Sequence, residues 1–338
     1  MVIMKKALVT SGMLMLSAAS FSQTPDSIPR RDSAGVSKRV QTYAADKFAI
    51  SRPLNIEFAH TSPYNFTAKA GENQLPESRA SSFSQIKISS NFNVIKRKSW
   101  TLGATLGYRY THAEADITKP AAGGIMPFDD EFHYIFSSVN FTYFSKLFNK
   151  RTIYTSSIAV DGSDKHFERV KGLITGTMIL KANQRTKLMV GLFVNIDPSS
   201  QTPVLPTFAY EHKFNNGLVV DMTLPKSLYL RKNVLTNGRL SLGTEIDRTS
   251  FYLYNIDGTD QRYEYRQLDL NSGLTYEHLI GKYFVFTAKT GMKVTPSGRV
   301  FRKQDSFGDP VYQTTPDPAF YFNVGISFNP FTVLGIKK

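Results

Sequence analysis

The sequence predicts an all-β chain that closes into a transmembrane, antiparallel, up-and-down β-barrel of about 12–14 strands. Three observations carry that prediction. The stretch Ala319–Phe328 alternates strictly: Phe320, Phe322, Val324, Ile326 and Phe328 share one parity, and Tyr321, Asn323, Gly325 and Ser327 the other. Successive strand side chains point to opposite faces, so this ribbon is greasy on one side and polar or small on the other. The hairpin of Ser82–Ile95 and Trp100–His112 repeats the pattern in two runs longer than the roughly 5–6 residues usual for soluble sheets. Finally, the connections between such runs alternate between short and long, as they do in membrane barrels.

The chain opens on a segment that reads as a leader. Lys5 and Lys6 precede the apolar run Ala7–Ala19, and Ser20-Phe21-Ser22 places small residues at −3 and −1 before Gln23. That is the layout of a cleaved signal peptide over residues 1–22, and the run falls short of the roughly 20 residues a membrane helix needs. No Cys follows the leader, so the sequence offers no lipid-anchored cysteine. Residues 23–51 are polar and lack strand alternation, and read as a periplasmic tail or a short insert into the bore. The barrel occupies residues 52–330, and 331–338 form an overhang.

From Leu54–His60 onward the strands follow one another. His133–Lys146, Thr152–Asp161, Arg169–Ala182, Lys187–Ile196 and Leu205–Phe214 each put aliphatic or aromatic residues on one parity. Leu218–Leu224, Ser227–Asn233, Gly238–Tyr254, Arg262–Leu279 and Tyr283–Val294 precede the closing strand. The short connections include Lys96–Ser99 and Asn215–Gly217; the long ones include Thr61–Ser81, Ala115–Phe132 and Thr295–Pro318. Pro225 cannot donate to a ladder, so it sits at a turn or an edge. The count is fourteen with Ser227–Asn233 as a strand and twelve without it, about the range barrels of this chain length show. The first strand is much shorter than its neighbours, which makes closure the weakest joint.

Composition agrees with a barrel. Aromatics make up 13% of the chain, and Tyr and Phe number 17 and 25, which suits girdles of rings at two interfaces. The absence of Cys excludes disulfides and thiolate metal sites. The formal charge of +14 belongs to an exported chain, so it does not suggest nucleic acid; a basic surface can meet lipopolysaccharide phosphates or acidic solutes, and net charge alone selects neither.

Taken together, the leader, Leu205–Phe214, the Leu224-Pro225 break and the closing Phe322–Phe328 resemble a family of Gram-negative outer-membrane barrels known only as a domain of unknown function. That resemblance brings no catalytic or ligand residues. The closing strand also resembles the recognition signal of outer-membrane barrels, a polar residue followed by Gly and an aromatic: Asn323, Gly325 and Phe328 match, with Phe322 beside them, and Pro330 takes the place of the last aromatic. The resemblance implies the barrel-assembly machinery and outer-membrane lipid as partners.

The chemistry legible in the sequence is electrostatic. Lys87, Arg109, Lys171, Lys181, Lys187, Lys213, Arg231 and Lys289 share the parity opposite the greasy one, together with Glu211, Asp221, Glu245 and Asp269. The acids fall on later strands and the bases predominate on earlier ones, so a basic wall is expected to face a mixed acidic one. The charges either pair into a network that fills the bore, because unpaired buried charge is costly, or line a wet path. The six His are His60, His112, His133, His166, His212 and His278, and Ser62, Ser137 and Asp130 lie near enough in the pattern to be companions in a hydrolase. A relay needs a nucleophile, a base and an orienting group in contact, and no spacing here supplies one. No metal or cofactor set is legible either. The expected role is a passive conduit or a structural envelope protein with a charged lumen. The alternatives are a hydrophobic-substrate channel with a short amino-terminal hatch and a lipid-modifying enzyme.

Deleting residues 320–328 removes the strand that closes the barrel. The truncated chain should fail to assemble in the outer membrane, as read by heat-modifiable gel mobility of membrane fractions. A stable, soluble truncated product would contradict the barrel.

Overall fold

A computed structural model describes residues 34–119, 124–197, 200, 202–256 and 258–331. The expected leader, the tail to residue 33 and residues 332–338 of the overhang lie outside the described residues. Helix α1 (Ala34–Lys47) and a single 3-10 turn (Ala49–Ser51) precede the strands. These are β1 (Leu54–Thr61), β2 (Tyr64–Ala70), β3 (Asn73–Gln74), β4 (Ser78–Lys96), β5 (Trp100–Thr118), β6 (Ile125–Leu147), β7 (Lys150–Gly162), β8 (Phe167–Ala182) and β9 (Thr186–Ile196). There follow β10 (Val204–Lys213), β11 (Leu218–Leu224), β12 (Ser227–Val234), β13 (Gly238–Tyr254), β14 (Arg262–Ile280), β15 (Phe284–Arg302), β16 (Tyr312–Pro316) and β17 (Ala319–Phe328).

The segments form one closed, antiparallel barrel of 14 strands. Lipid offers no hydrogen bonds to backbone, so a membrane sheet must have no edge. The last edge is removed by β1, which pairs with β17 from Leu54↔Phe328 to Thr61↔Tyr321 and with β4 on its other side. The count resolves to fourteen because β12 pairs with both β11 and β13; Pro225-Lys226 is only the turn between β11 and β12.

The first strand is longer than the sequence suggested. Past a break at Ser62-Pro63, β2 meets β16 with Phe66 opposite Pro316, in the register that Thr61 and Tyr321 set below the break. Segments β1 and β2 are therefore one interrupted strand, and β16 and β17 another, broken at Asp317-Pro318. Proline lacks the ladder donor, which explains both breaks. Much of the expected loops at 61–81, 115–132 and 295–318 is thus strand.

These outer extensions were missed because their polarity inverts. On β5, Trp100, Leu102, Leu106, Tyr108 and Tyr110 face lipid, but next on that parity come His112, Glu114 and Asp116, while the inward parity becomes Ala113, Ala115 and Ile117. On β6 the lipid-facing row Tyr143, Phe141, Val139 and Ile135 gives way after His133 to Glu131 and Asp129, with Phe132 and Phe128 turned inward. The switch from a greasy to a charged exterior marks where lipid ends and water begins. Beyond it the barrel is built like a soluble protein. Phe132 stacks on Phe251 at 4.1 Å, and Phe251 on Tyr265 at 4.8 Å.

The outer ends of β13 and β14 lean inward over the mouth. Their partner hairpin β11–β12 is short: the β12–β13 ladder ends at Glu245, which pairs with Ser227, and the Ile246 amide donates to the Lys226 carbonyl just beyond it. The neighbours Phe251 and Tyr252 are both buried, as are Tyr263 and Glu264. A strand with one wet face cannot bury consecutive residues, so both faces of this hairpin are covered.

Curvature has its own device. Tyr229, Gly243, Gly273, Gly291 and Tyr321 lie side by side across β12, β13, β14, β15 and β17. A Cβ on Gly273 would meet the Thr290 carbonyl oxygen at 2.1 Å and the Gly291 Cα at 2.7 Å. The backbone bends tightly there, as glycine kinks in barrels do, with rings covering the row at each end. Gly273→Val should lower stability by about 1–3 kcal/mol, the usual cost of overpacking, measured by urea unfolding in detergent. An unchanged midpoint would contradict this account of the bend.

Candidate functional site

The inward face of the barrel carries three layers of paired charge. The innermost is built on α1. Its 14 residues are too few for a stable isolated helix in water, so tertiary contacts must hold it. Lys47 ends the helix, where a cation suits the dipole, and reaches Glu211 of β10 at 2.9 Å and Asp221 of β11. Asp46 accepts from Arg239 of β13 at 2.9 Å. Arg52, just beyond the 3-10 turn, meets Glu277 of β14 at 2.8 Å and donates to Ser327 of β17 at 3.0 Å.

The wall is patterned to receive these groups. Moving from strand to strand it offers Lys187, Glu211, Asp221, Arg231, Arg239 and Glu277, with the acids adjacent and the arginines adjacent. Lys187 holds Glu211 at 2.7 Å, Arg231 holds Asp221 at 3.1 Å and Arg239 holds Glu277 at 2.6 Å. The consecutive Asp46-Lys47 places its anion on Arg239 and its cation on the acid pair. Buried pairs of this kind cost much to desolvate, and their geometry must be good to repay it. The network runs on through Ser327, Asn55, Glu57 and Asn323, each hydrogen-bonded to the next or to Glu57.

The second layer crosses the bore at Lys87 and Arg109 and otherwise runs along the wall of β13, β14 and β15. Lys87 of β4 meets Asp247 of β13 at 2.6 Å, and Lys289 of β15 meets Glu245 at 2.6 Å. Arg109 donates to the Arg248 carbonyl at 2.8 Å, on the part of β13 that lacks a β12 partner. Arg109 borders two cavities of about 230 and 280 Å³. Asp269 accepts from Thr295 at 2.6 Å and lies 3.8 Å from Lys293.

The third layer lies under the inward hairpin, at the outer lipid boundary. Lys171 meets Asp161 at 2.6 Å, and Tyr134 and Tyr252 donate to the same carboxylate at 2.6 and 2.8 Å. Arg169 holds the fully buried Glu264 at 3.0 Å, and Lys303 meets Glu168 at 2.7 Å. Burial, with the Glu264 and Asp161 carboxylates beside it, pushes the Tyr252 hydroxyl well above its ordinary pKa, so it stays a donor.

The expected residues Lys87, Arg109, Lys171, Lys187, Glu211, Asp221, Arg231, Glu245, Asp269 and Lys289 all lie in these layers. Lys213 does not; it is exposed at the end of β10. The expected separation into a basic and a mixed acidic wall does not hold. Glu57 and Asp161 bring acids to early strands, and Arg239 and Arg266 bring bases to late ones, so each charge meets its opposite nearby. Asp46, Lys47 and Arg52 were not singled out, because a charged pair in a polar stretch looks like any solvated one.

The histidines occupy other places. His60 Nδ1 lies 2.8 Å from Ser84 Oγ on the lipid-facing side, against Phe322 at 5.5 Å. His133 contacts the Tyr108 hydroxyl at 2.8 Å in the outer aromatic belt. His112 pairs with Asp129 at 2.8 Å and lies 3.7 Å from Glu114. Ser62 donates to the Phe320 carbonyl and Asp130 accepts from the Glu131 amide, so neither joins a histidine there. Among the described residues no carboxylate orients the His60–Ser84 pair.

Residues 47–329 match the family described as Domain of unknown function (DUF6268), and the chain belongs to that family. The fold is that of an outer-membrane β-barrel. Among solved structures the chain is similar to the COG4313 outer membrane channel from Pseudomonas putida F1, with 12% identity, 81% of this chain and 94% of that one covered, and a TM-score of 0.34. It is similar to a Pseudomonas aeruginosa FadL homologue with 8% identity, 82% and 89% covered, and a TM-score of 0.39. It is also similar to the outer membrane protease OmpT from Escherichia coli, with 6% identity, 82% and 96% covered, and a TM-score of 0.26. No curated protein matches the sequence. With TM-scores below 0.5, these likenesses carry no argument about this chain.

Arg239→Met leaves Asp46 and Glu277 short of a partner. The variant should lose about 3–5 kcal/mol of stability, the usual cost of stranding a buried charge, read as a shifted urea midpoint. A loss no larger than that of an exposed arginine would contradict the network.

Proposed function

We propose that the protein is an outer-membrane conduit, exported through a cleaved leader and closed at rest by α1. The observation that carries this reading is the manner in which the helix is seated. It is held through Asp46, Lys47 and Arg52 by ion pairs to β10, β11, β13 and β14. A plug held by charge can leave into water with its charges solvated, whereas one held by apolar packing would expose greasy surface on leaving. The layers above it narrow the bore without welding it, since Lys87–Asp247 and Lys289–Glu245 keep 17–30% side-chain exposure and face water-sized space. Lipopolysaccharide surrounds the outer rim in this reading, and the barrel-assembly machinery reads the signal at Phe322, Asn323, Gly325 and Phe328.

A second reading, a permanently closed envelope protein, is favoured by the density of paired charge. The two separate in planar bilayers. The native chain should be nearly silent, and Lys47→Glu, which sets a third anion against Glu211 and Asp221, should raise open probability by about tenfold or more. A silent Lys47→Glu barrel would leave the permanently closed protein, and a native chain as open as the variant would contradict the plug.

A further inference from the structure

Because α1 is tied to one side of the bore, it stands off the other. Between the helix and β7, β8 and β9 lies a crevice of about 590 Å³, the largest of the cavities described. Its barrel wall is more apolar than most of the bore at this depth. Ile153, Ile179 and Met189 turn inward, as shown by their neighbours Tyr154, Leu180 and Leu192 facing lipid. Across the bore at the turn end most inward positions are polar, as at Asn55, Asp221, Arg231, Ser241 and Ser327, with Leu279 and Val285 an apolar pair among them. Val40 and the Tyr43 ring complete the apolar lining from the helix side.

The rim is cationic. Lys38, Arg39 and Arg151 are exposed, border the crevice, and have no acidic partner among the described residues. Lys187 and Lys47 lie 4.9 and 4.7 Å from the Tyr43 ring centroid. The buried Tyr43 hydroxyl has no hydrogen-bond partner among the described residues. Asp46 is the sole acid on the lining, and Arg239 already neutralises it.

We infer that this crevice binds a single-chain anionic amphiphile, its acyl chain along Ile153, Ile179 and Met189 and its acidic head at Arg39 and Arg151. The inference rests on α1 being seated in the bore as proposed above. The volume falls within the roughly 300–1,000 Å³ of small-molecule sites. Guanidinium groups take carboxylate or phosphate oxygens in pairs.

The test uses the full chain in nanodiscs of zwitterionic lipid, with empty nanodiscs as the partition control. Dodecanoate and dodecyl phosphate should bind saturably at one site per barrel, and whichever binds tighter names the head group. Dodecanol, which has the chain without the charge, should bind at least about tenfold more weakly. Arg151→Glu should weaken dodecanoate by about tenfold, and Ile179→Trp, which fills the crevice, should abolish saturable binding. Heat-modifiable mobility shows whether each variant is folded, and the comparison of dodecanoate with dodecanol needs no variant. Equal affinity for dodecanol, or native affinity in both variants, would overturn the site. If Lys47→Glu conducts but dodecanoate never saturates, the crevice assignment alone fails. If dodecanoate binds and Lys47→Glu stays silent, the gating alone fails.

Discussion

The ladder between β1 and β17 is the interaction on which everything else depends. A sheet in hydrocarbon cannot leave a row of amides unpaired, so the chain must bring its ends together across the whole length of the sequence. It does so in one register from Leu54↔Phe328 to Ala70↔Tyr312, carried past two proline breaks. Those breaks fall where β1 passes into β2 and β16 into β17, and the pairing on each side stays aligned. Closure also sets Asn55 and Glu57 beside Asn323 and Ser327, so the seam joins the inner polar network directly.

Once closed, the barrel sorts its residues by two different rules at two heights. At the lipid level the greasy side chains point out, and the bore receives the charged ones. Those charges sit in a space too small to hydrate them fully, so most find an opposite one, and Arg109 settles on the Arg248 carbonyl. Outside lipid the sorting reverses and the interior fills with Phe132, Phe251 and Tyr265. The low wall at β11 and β12 couples the two levels: it frees the outer end of β13, which crosses toward β4 and β5 and is met there by Lys87 and Arg109. Helix α1 closes the other end by matching charge with the wall.

The lipid-level strands were legible because a membrane imposes one polarity rule over ten or so residues, and Trp100–Tyr110 or Ala319–Phe328 obeys it without exception. The outer extensions were not, since the rule inverts at His112 and His133, and an inverted alternation beside Gly and Pro reads as loop. Some inward charges of the strands, Lys87, Glu211 and Lys289 among them, were read from parity alone, whereas Glu57, Asp161, Arg239 and Glu277 were not. Nor were the partners, because pairing such as Lys87 with Asp247 depends on which strand leans across the bore. Asp46 and Lys47 carry no periodic signal at all; their role comes from the order of charges on strands distant in sequence.

The register of the seam can be measured directly, and the chain contains no Cys to confuse the result. Ala59 and Asn323 are directly opposite on β1 and β17. Facing residues of antiparallel strands have Cα atoms about 4.5–5.5 Å apart, within reach of a disulfide. Ala59→Cys with Asn323→Cys, oxidised in intact membranes, should give a cross-linked barrel in high yield. Ala59→Cys with Tyr321→Cys, displaced along the same face, should give little. No cross-link at the first pair, or a preference for the second, would contradict the closed barrel as described.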